Sequence, residues 1–169
     1  VYRNAGRMTQ ILEAMLLLAK EESPNADPSC KVEELIAEAI ADCSPSLEGR
    51  PVVISYRELA KVTLPAERSL VYVLISNVLR NACAYTREGS IDISLSPTCL
   101  KIADSGIGMP EPRLNQMFGR YVKGQESIGH GLGLSIVARI CERLRWEISV
   151  ESAPGRGTTF TFRFDNPST

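Results

Sequence analysis

The chain has 169 residues, 44% of them hydrophobic and 23% charged, which is the composition of a globular protein long enough for one domain with a proper core. With 19 basic and 20 acidic residues the formal charge is −1, so nothing electrostatic points to nucleic acid or an anionic membrane as a partner. Five scattered cysteines, odd in number and without a CxxC pair, argue against a zinc site or a disulfide framework and for a reducing compartment.

Residues 1–20 carry a helical pattern with a narrow seam. Val1, Ala5, Met8, Leu12, Met15 and Ala19 fall at alternating spacings of four and three, the rhythm of a helix that packs on other helices or folds onto its own domain. The longest strongly apolar run, "AMLLLA" at 14–19, is too short to cross a bilayer, and no signal-peptide pattern appears. A chain that opens without methionine and in mid-helix is expected to be a piece of something longer. "ESPNADPS" at 22–29 breaks the pattern with two prolines and polar residues, and a boundary is placed there.

"VEELIAEAIADC" (32–43) reads as an amphipathic helix with Val32, Leu35, Ile36, Ala39 and Ile40 inward. "PVVISY" (51–56) reads as a strand, and 64–86 as a long helix with Pro65 near its start. "SIDISL" (90–95) and "CLKIA" (99–103) alternate as strands do, with "SPT" as the turn between them. From 104 to 130 the chain is rich in Gly, Pro and charge and reads as a long loop. Helix returns over 133–145, and "WEISVESA" and "TTFTFRF" follow as two strands joined by "PGRG". Separate helices with antiparallel strand pairs predict a two-layer α+β domain.

Three stretches carry chemistry. On the helix at 64–86, Leu74, Val78, Asn81 and Tyr85 follow one face, and Asn77 sits one turn before Asn81. A buried amide without a partner costs about 1–3 kcal/mol. These asparagines therefore either bond neighbouring backbone or line a pocket, where an amide oxygen suits Mg²⁺ arriving with phosphates. Asp104 follows a strand and precedes Gly106 and Gly108. An ionised carboxylate accepts a hydrogen bond from an exocyclic amino group such as adenine's, and the glycines permit close approach and positive φ. The alternative is an ordinary turn whose Asp caps itself. "GHGLGLSIV" sets Gly129, Gly131 and Gly133 before a helix, where freed amides form a phosphate cradle. No GKS/T is present and no strand leads into it, against a P-loop or a dinucleotide fingerprint.

The order of these motifs resembles the catalytic ATP-binding domain of sensor histidine kinases, the two-component branch of the Bergerat-fold ATPases. "NVLRNACAYT" (77–86) is similar to the N box and "DSGIGM" (104–109) to the first glycine box. "MFGRYVKG" (117–124) resembles the F box, "GHGLGL" (129–134) the second glycine box and "GRGTTF" (155–160) the terminal glycine–threonine motif. The resemblance implies a two-layer sandwich, a mixed and largely antiparallel sheet on helices, preceded by one coiled-coil-type helix. It divides the chain into the end of a dimerisation helix at 1–22, a linker at 23–31, a catalytic domain at 32–165 and a tail at 166–169.

The resemblance also implies ATP and Mg²⁺ as ligands. Asn81 is then expected on the metal, Asn77 near the phosphates, Tyr85 near the ribose or base, and Asp104 on the adenine amino group. Gly106 and Gly108 form the base-side wall, Met109 leads into a lid over 110–130, and Phe118 tethers that lid. Gly129, Gly131, Leu132 and Gly133 hold phosphates at its hinge, and Thr158 lies near Asp104. The implied partners are a phosphoacceptor histidine helix of the same full-length kinase, absent from this chain, a response-regulator receiver domain and a second copy of the full-length protein. The implied setting is the cytoplasmic portion of a sensor, with no nucleic acid and no membrane contact by this segment. The single histidine, His130, lies in the glycine loop and is not expected to be the phosphoacceptor. Ala84 stands where the N box often carries a basic residue, and ten residues separate Phe118 from Gly129. A regulatory module with weak nucleotide binding is the alternative that these departures support. A serine kinase of the anti-sigma-factor type suits the seam helix less well. Asn77 stands where ATP-hydrolysing relatives carry a glutamate, against an ATPase.

Overall fold

The computed structural model describes residues 28–110, 112 and 132–164, with positions 8, 9, 12, 15, 16, 18 and 19 of the N-terminal segment. The elements are β1 (Cys30–Lys31), α1 (Val32–Cys43), a 3-10 turn (Ser44–Leu47), β2 (Val52–Glu58), β3 (Thr63–Leu64), α2 (Arg68–Tyr85), β4 (Gly89–Ser96), β5 (Cys99–Asp104), α3 (Leu132–Leu144), β6 (Glu147–Ala153) and β7 (Gly157–Arg163). A five-stranded sheet runs β2-β4-β5-β7-β6, parallel between β2 and β4 and antiparallel elsewhere, while β1 and β3 pair as a separate two-stranded ribbon. The expected two-layer α+β architecture is therefore present, with the helices on one face of a mixed, largely antiparallel sheet.

The inward face of the sheet is organised in rows set by the period of two. One row reads Glu58–Leu95–Leu100–Phe162–Ile148 across the five strands, and the next reads Tyr56–Ile93–Ile102–Phe160–Val150. Leu95, Leu100, Ile93, Ile102, Phe160 and Phe162 are all buried in the central core. Against them pack Leu35, Ile36 and Ala39 of α1, Leu74, Ile75 and Val78 of α2, and Ile136, Val137 and Ile140 of α3. Each of the larger of these side chains contributes about 1.5–3 kcal/mol relative to exposure. The third row, Ile54–Ile91–Asp104–Thr158–Ser152, starts apolar and turns polar over its last three members. The polar members all lie at one end of the sheet.

The long helix begins later than its sequence pattern suggests. Leu64, expected as its first residue, instead pairs with Cys30, as its neighbour Thr63 does with Lys31. Pro65 explains this: it pushes the residue before it toward extended backbone, and Glu67, the N-cap, is still extended at φ −64°, ψ 124°. The β1 pairing also starts within the stretch expected as a linker. At the far end of α3, Arg145 takes φ 59°, which turns the chain so that the Trp146 N–H reaches the Cys141 carbonyl at 2.8 Å. Trp146 is then held edge-on to Phe164, 4.8 Å between centroids.

The described N-terminal positions 8, 9, 12, 15, 16, 18 and 19 are helical. Of the expected seam, Met8, Leu12, Met15 and Ala19 are exposed, whereas Leu18, outside the seam, packs against the core cluster. Val1 and Ala5 lie outside the described residues.

Candidate functional site

The polar end of the third row is where the chain gathers its expected site residues. Asp104 ends β5, the middle strand of the sheet and not an edge, and faces Thr158 across the β5–β7 pairing. The carboxylate caps its own turn: Oδ1 accepts the Gly106 N–H at 2.9 Å. Burial raises the Asp104 carboxyl above the usual carboxylate range, and backbone N–H bonds from Gly106 and Thr158 draw it part of the way back. The self-capping reading and the pocket reading are therefore compatible. One carboxylate face organises the turn, and the group as a whole stays half-buried at a polar opening.

The stretch after Asp104 is fastened on every side by backbone bonds. Ser105 N–H donates to the Ser90 carbonyl at 3.0 Å, Ile107 N–H to the Tyr85 carbonyl at 3.1 Å, and Gly155 N–H to the Ile107 carbonyl at 2.8 Å. Such closeness requires glycine. A Cβ on Gly106 would run into the Tyr85 carbonyl, and one on Gly108, where φ is +66°, into the Ala153 carbonyl. Gly106 does not take the positive φ expected of it; its missing side chain makes room for α2 instead. Both glycines thus fit loop to protein backbone, and they shape the wall indirectly. The loop leaves Ile107 55% exposed and Tyr85 39% exposed.

Ser152 is a member of the site that the sequence reading passed over. Its Oγ accepts the Met109 N–H at 2.8 Å, donates to the Gly157 carbonyl at 3.0 Å and lies 2.8 Å from Thr158 Oγ1. A hydroxyl has one proton, so with that proton on Gly157 the Thr158 hydroxyl is the donor between the two. The signal was present in "EISVESA": Ser152 follows Ile148 and Val150 in the inward register.

Helix α2 reaches the same end through its last carbonyl, that of Tyr85, and carries both asparagines upstream of it. Asn77 is the deeper, 2% exposed, and its Nδ2 donates to the Val73 carbonyl at 2.8 Å, within its own helix. Asn81, expected inward with Leu74 and Val78, is only half-buried, and Ala84 is exposed. The helix stops at Tyr85, and Arg50 closes it from outside, donating to the Cys83 carbonyl at 2.7 Å and to the Thr86 carbonyl.

Among the described residues no cluster of three or more His, Cys, Asp or Glu is placed to hold a metal. Asn81 offers an amide oxygen, a hard neutral donor of the kind that can complete a divalent ion's shell beside ligand phosphates. Gly133 is buried in the first turn of α3, and Leu132 enters only as the residue that opens that helix. Phe118, Gly129 and Gly131 lie outside the described residues, as does His130. Asp104, Gly106, Gly108, Met109, Thr158 and the Tyr85 carbonyl are the expected residues that the fold joins at one end of the sheet.

Comparison with known proteins agrees with this fold. The family of histidine kinase-, DNA gyrase B-, and HSP90-like ATPases matches residues 66–168, more than half of the chain. The phosphate regulon sensor protein PhoR of Pseudomonas aeruginosa is 34% identical over 175 residues, an alignment that takes in 96% of this chain and 40% of PhoR. The sensor histidine kinase YkoH of Bacillus subtilis is 29% identical over 175 residues, 97% of this chain and 38% of YkoH. The chain therefore spans two fifths or less of these relatives. Among solved structures, full-length ShkA in complex with AMPPNP matches with a TM-score of 0.71 at 21% identity, over 95% of this chain and 36% of ShkA. The catalytic domain of the histidine kinase ThkA matches with a TM-score of 0.64 at 21% identity, over 80% of this chain and 92% of that domain. At these identities the two structures establish the fold alone.

Proposed function

This chain belongs to the histidine kinase-, DNA gyrase B-, and HSP90-like ATPase family, as a domain of the histidine kinase type, and from that premise we propose that it binds ATP with Mg²⁺ and donates the γ-phosphoryl group to a histidine on a separate helix. The observation that carries the proposal is Asp104: a half-buried carboxylate, anchored by the Gly106 amide, at the polar end of an otherwise apolar sheet face. In this reading the carboxylate accepts from the adenine amino group while Ile107, Met109 and Tyr85 bracket the ring. Thr158, bonded to Ser152, keeps the carboxylate's neighbour in place.

Asn81 would hold the metal and Asn77 would stand behind it, near the phosphates. Asn77 already donates to Val73, which fixes its amide plane and aims the remaining oxygen. Gly129, Gly131 and Gly133 would offer backbone amides to the phosphates at the start of α3, and Phe118 would tether the covering segment. Bound Mg²⁺ would neutralise phosphate charge as the γ-group departs. The protein's part is to position and desolvate, without a covalent intermediate. The AMPPNP bound to ShkA supports a nucleotide in this fold.

The acceptor histidine would come from a separate helix of the dimerisation domain, of which residues 1–22 would be the end of the C-terminal helix, with 23–31 as linker and 166–169 as tail. A response-regulator receiver domain would then take the phosphoryl group, in the cytoplasm. Among the described residues no helix is long and apolar enough to cross a membrane. Incubating the chain with a separately produced phosphoacceptor helix pair and γ-labelled ATP tests the reading. Acid-labile, base-stable label on the acceptor is expected; an unlabelled acceptor, or acid-stable label, would contradict it.

A further inference from the structure

The last turn of α2 is satisfied by two donors that come from outside the helix. Its final internal bond runs from the Thr86 N–H to the Ala82 carbonyl at 3.1 Å, and the carbonyls beyond it need other partners. Arg50 Nη2 donates to the Cys83 carbonyl at 2.7 Å and to the Thr86 carbonyl. Between these two, the Tyr85 carbonyl accepts the Ile107 N–H at 3.1 Å. The helix has no basic residue in its own last turn, so the half-buried Arg50 guanidinium also brings the positive charge that favours a helix C-terminus.

Arg50 can serve that end because its own root is fixed. Its N–H donates to the Leu47 carbonyl at 3.0 Å, its carbonyl accepts the Val52 N–H at 2.8 Å, and Nη1 donates to the Ser46 carbonyl at 3.3 Å. The carbonyl of the next residue, Pro51, accepts the Gly89 N–H at 2.9 Å, where β2 begins its pairing with β4. The guanidinium therefore ties the end of α2 to the 3-10 turn and to the edge of the sheet. What hangs on that end is the loop after Asp104. The Tyr85 carbonyl holds Ile107 and occupies the place where a Cβ on Gly106 would lie. The Gly106 N–H in turn anchors Asp104 Oδ1 at 2.9 Å. A shift of the α2 end would thus be felt at Ile107, at Gly106 and at the carboxylate.

We propose that Arg50 is a positioning residue of the nucleotide site, acting through the Tyr85 carbonyl on the base-side loop; the proposal rests on the nucleotide reading above. Each of its side-chain bonds ends on a backbone carbonyl of the 3-10 turn or of α2, so its influence on Asp104 is relayed. The planar fork matters as well as the charge, because it spans carbonyls of two elements at once, whereas a lysine ammonium is a compact point donor on a flexible stem. Because the relay ends on the base side, its loss weakens nucleotide binding and leaves the reacting phosphates as they were. That is the loss of uniform binding, which raises KM and spares kcat.

The test compares the chain with Arg50→Met and Arg50→Lys. Each is titrated calorimetrically with a non-hydrolysable ATP analogue and Mg²⁺ below its unfolding transition, and amide exchange is followed without nucleotide. Arg50→Met should bind about tenfold more weakly. Its Ile107 amide should exchange about tenfold faster, while the amides of Ile93 and Ile102 in the centre of the sheet keep their wild-type rates. Arg50→Lys should fall between the two proteins in both measurements. With a separately produced acceptor, Arg50→Met should raise the KM for ATP about tenfold at unchanged kcat. Wild-type affinity in Arg50→Met overturns the inference, and so does a loss confined to kcat. Exchange that quickens at Ile93 and Ile102 as much as at Ile107 overturns it too, since that is a global loss of stability. A wild-type chain that gives no heat overturns the nucleotide reading itself, a failure visible without either variant.

Discussion

The rows Tyr56–Ile93–Ile102–Phe160–Val150 and Ile54–Ile91–Asp104–Thr158–Ser152 are neighbours on one face of one sheet, two residues apart along every strand. The first is apolar from Ile93 through Phe160 and closes the core against three helices. In the second, the same three central and flanking strands switch to carboxylate and hydroxyls. Nothing in the packing of the helices requires that switch, since an apolar residue at Asp104 would continue the stripe. A row that gives up burial in favour of a cooperating hydrogen-bond set (Asp104 with Gly106, Thr158 with Ser152, Ser152 with Met109) is a row arranged for something other than cohesion. That difference separates what holds this domain together from what it does.

The comparison can be broken first at the apolar row. Ile102→Ala should cost about 3 kcal/mol of stability, from lost burial and the cavity left behind, measured by urea unfolding. Nucleotide affinity measured below the unfolding transition should hardly move; a selective loss of affinity would erase the distinction between the rows. In the polar row, Ser152→Ala strands the Met109 N–H and the Thr158 hydroxyl and should cost about 1–2 kcal/mol in the same assay. It should also loosen the 105–109 segment, read as faster amide exchange at Met109.

On the helix facing this row, Asn81→Ala should weaken Mg²⁺-dependent ATP binding about tenfold, equivalent to about 1.4 kcal/mol, while affinity measured in EDTA stays unchanged. Equal loss with and without metal would remove Asn81 from the metal. The smallest effect is on pH. Because burial raises the Asp104 carboxyl, its ionised form is disfavoured in the fold. Stability is then highest with the group protonated and falls as pH rises from the unfolded carboxyl's range, about 3.9, through the raised folded value. Nucleotide affinity should run the other way, weakening on acidification from above pH 3.9 or so. Asp104→Asn should remove both steps from the titration curves.

Much of the second row was visible as letters. In "CLKIAD", "EISVESA" and "GTTFTFRF" the inward register reads Leu-Ile-Asp, Ile-Val-Ser and Thr-Phe-Phe, so each strand carries one polar residue at one end of an apolar alternation. What could not be read there is that the three polar residues line up. The β5–β7 pairing spans some fifty residues of chain and a helix, and its register is fixed by tertiary packing rather than by local pattern. The glycines show the same limit. "DSGIGM" announces a tight turn, but that Gly106 accommodates the Tyr85 carbonyl and Gly108 the Ala153 carbonyl depends on where α2 and the β6–β7 turn end up. The start of α2 was misread for a local reason, since Leu64 is apolar in helical phase, yet the proline after it drives it into the β1–β3 ribbon. Asn77 and Asn81 stand out in the sequence as a pair, while which of them is deeper follows only from the packed helix.

The most direct measurement is calorimetric titration of the chain with a non-hydrolysable ATP analogue and Mg²⁺, run in parallel on Asp104→Ala. The wild-type chain should bind with a one-to-one stoichiometry, and the variant should bind about 10- to 100-fold more weakly, the loss of a hydrogen bond to a charged group, while its far-UV spectrum and unfolding midpoint remain close to wild type. No heat from the wild-type chain at millimolar analogue, or equal affinity in the two proteins, would contradict a nucleotide site at the polar end of the sheet.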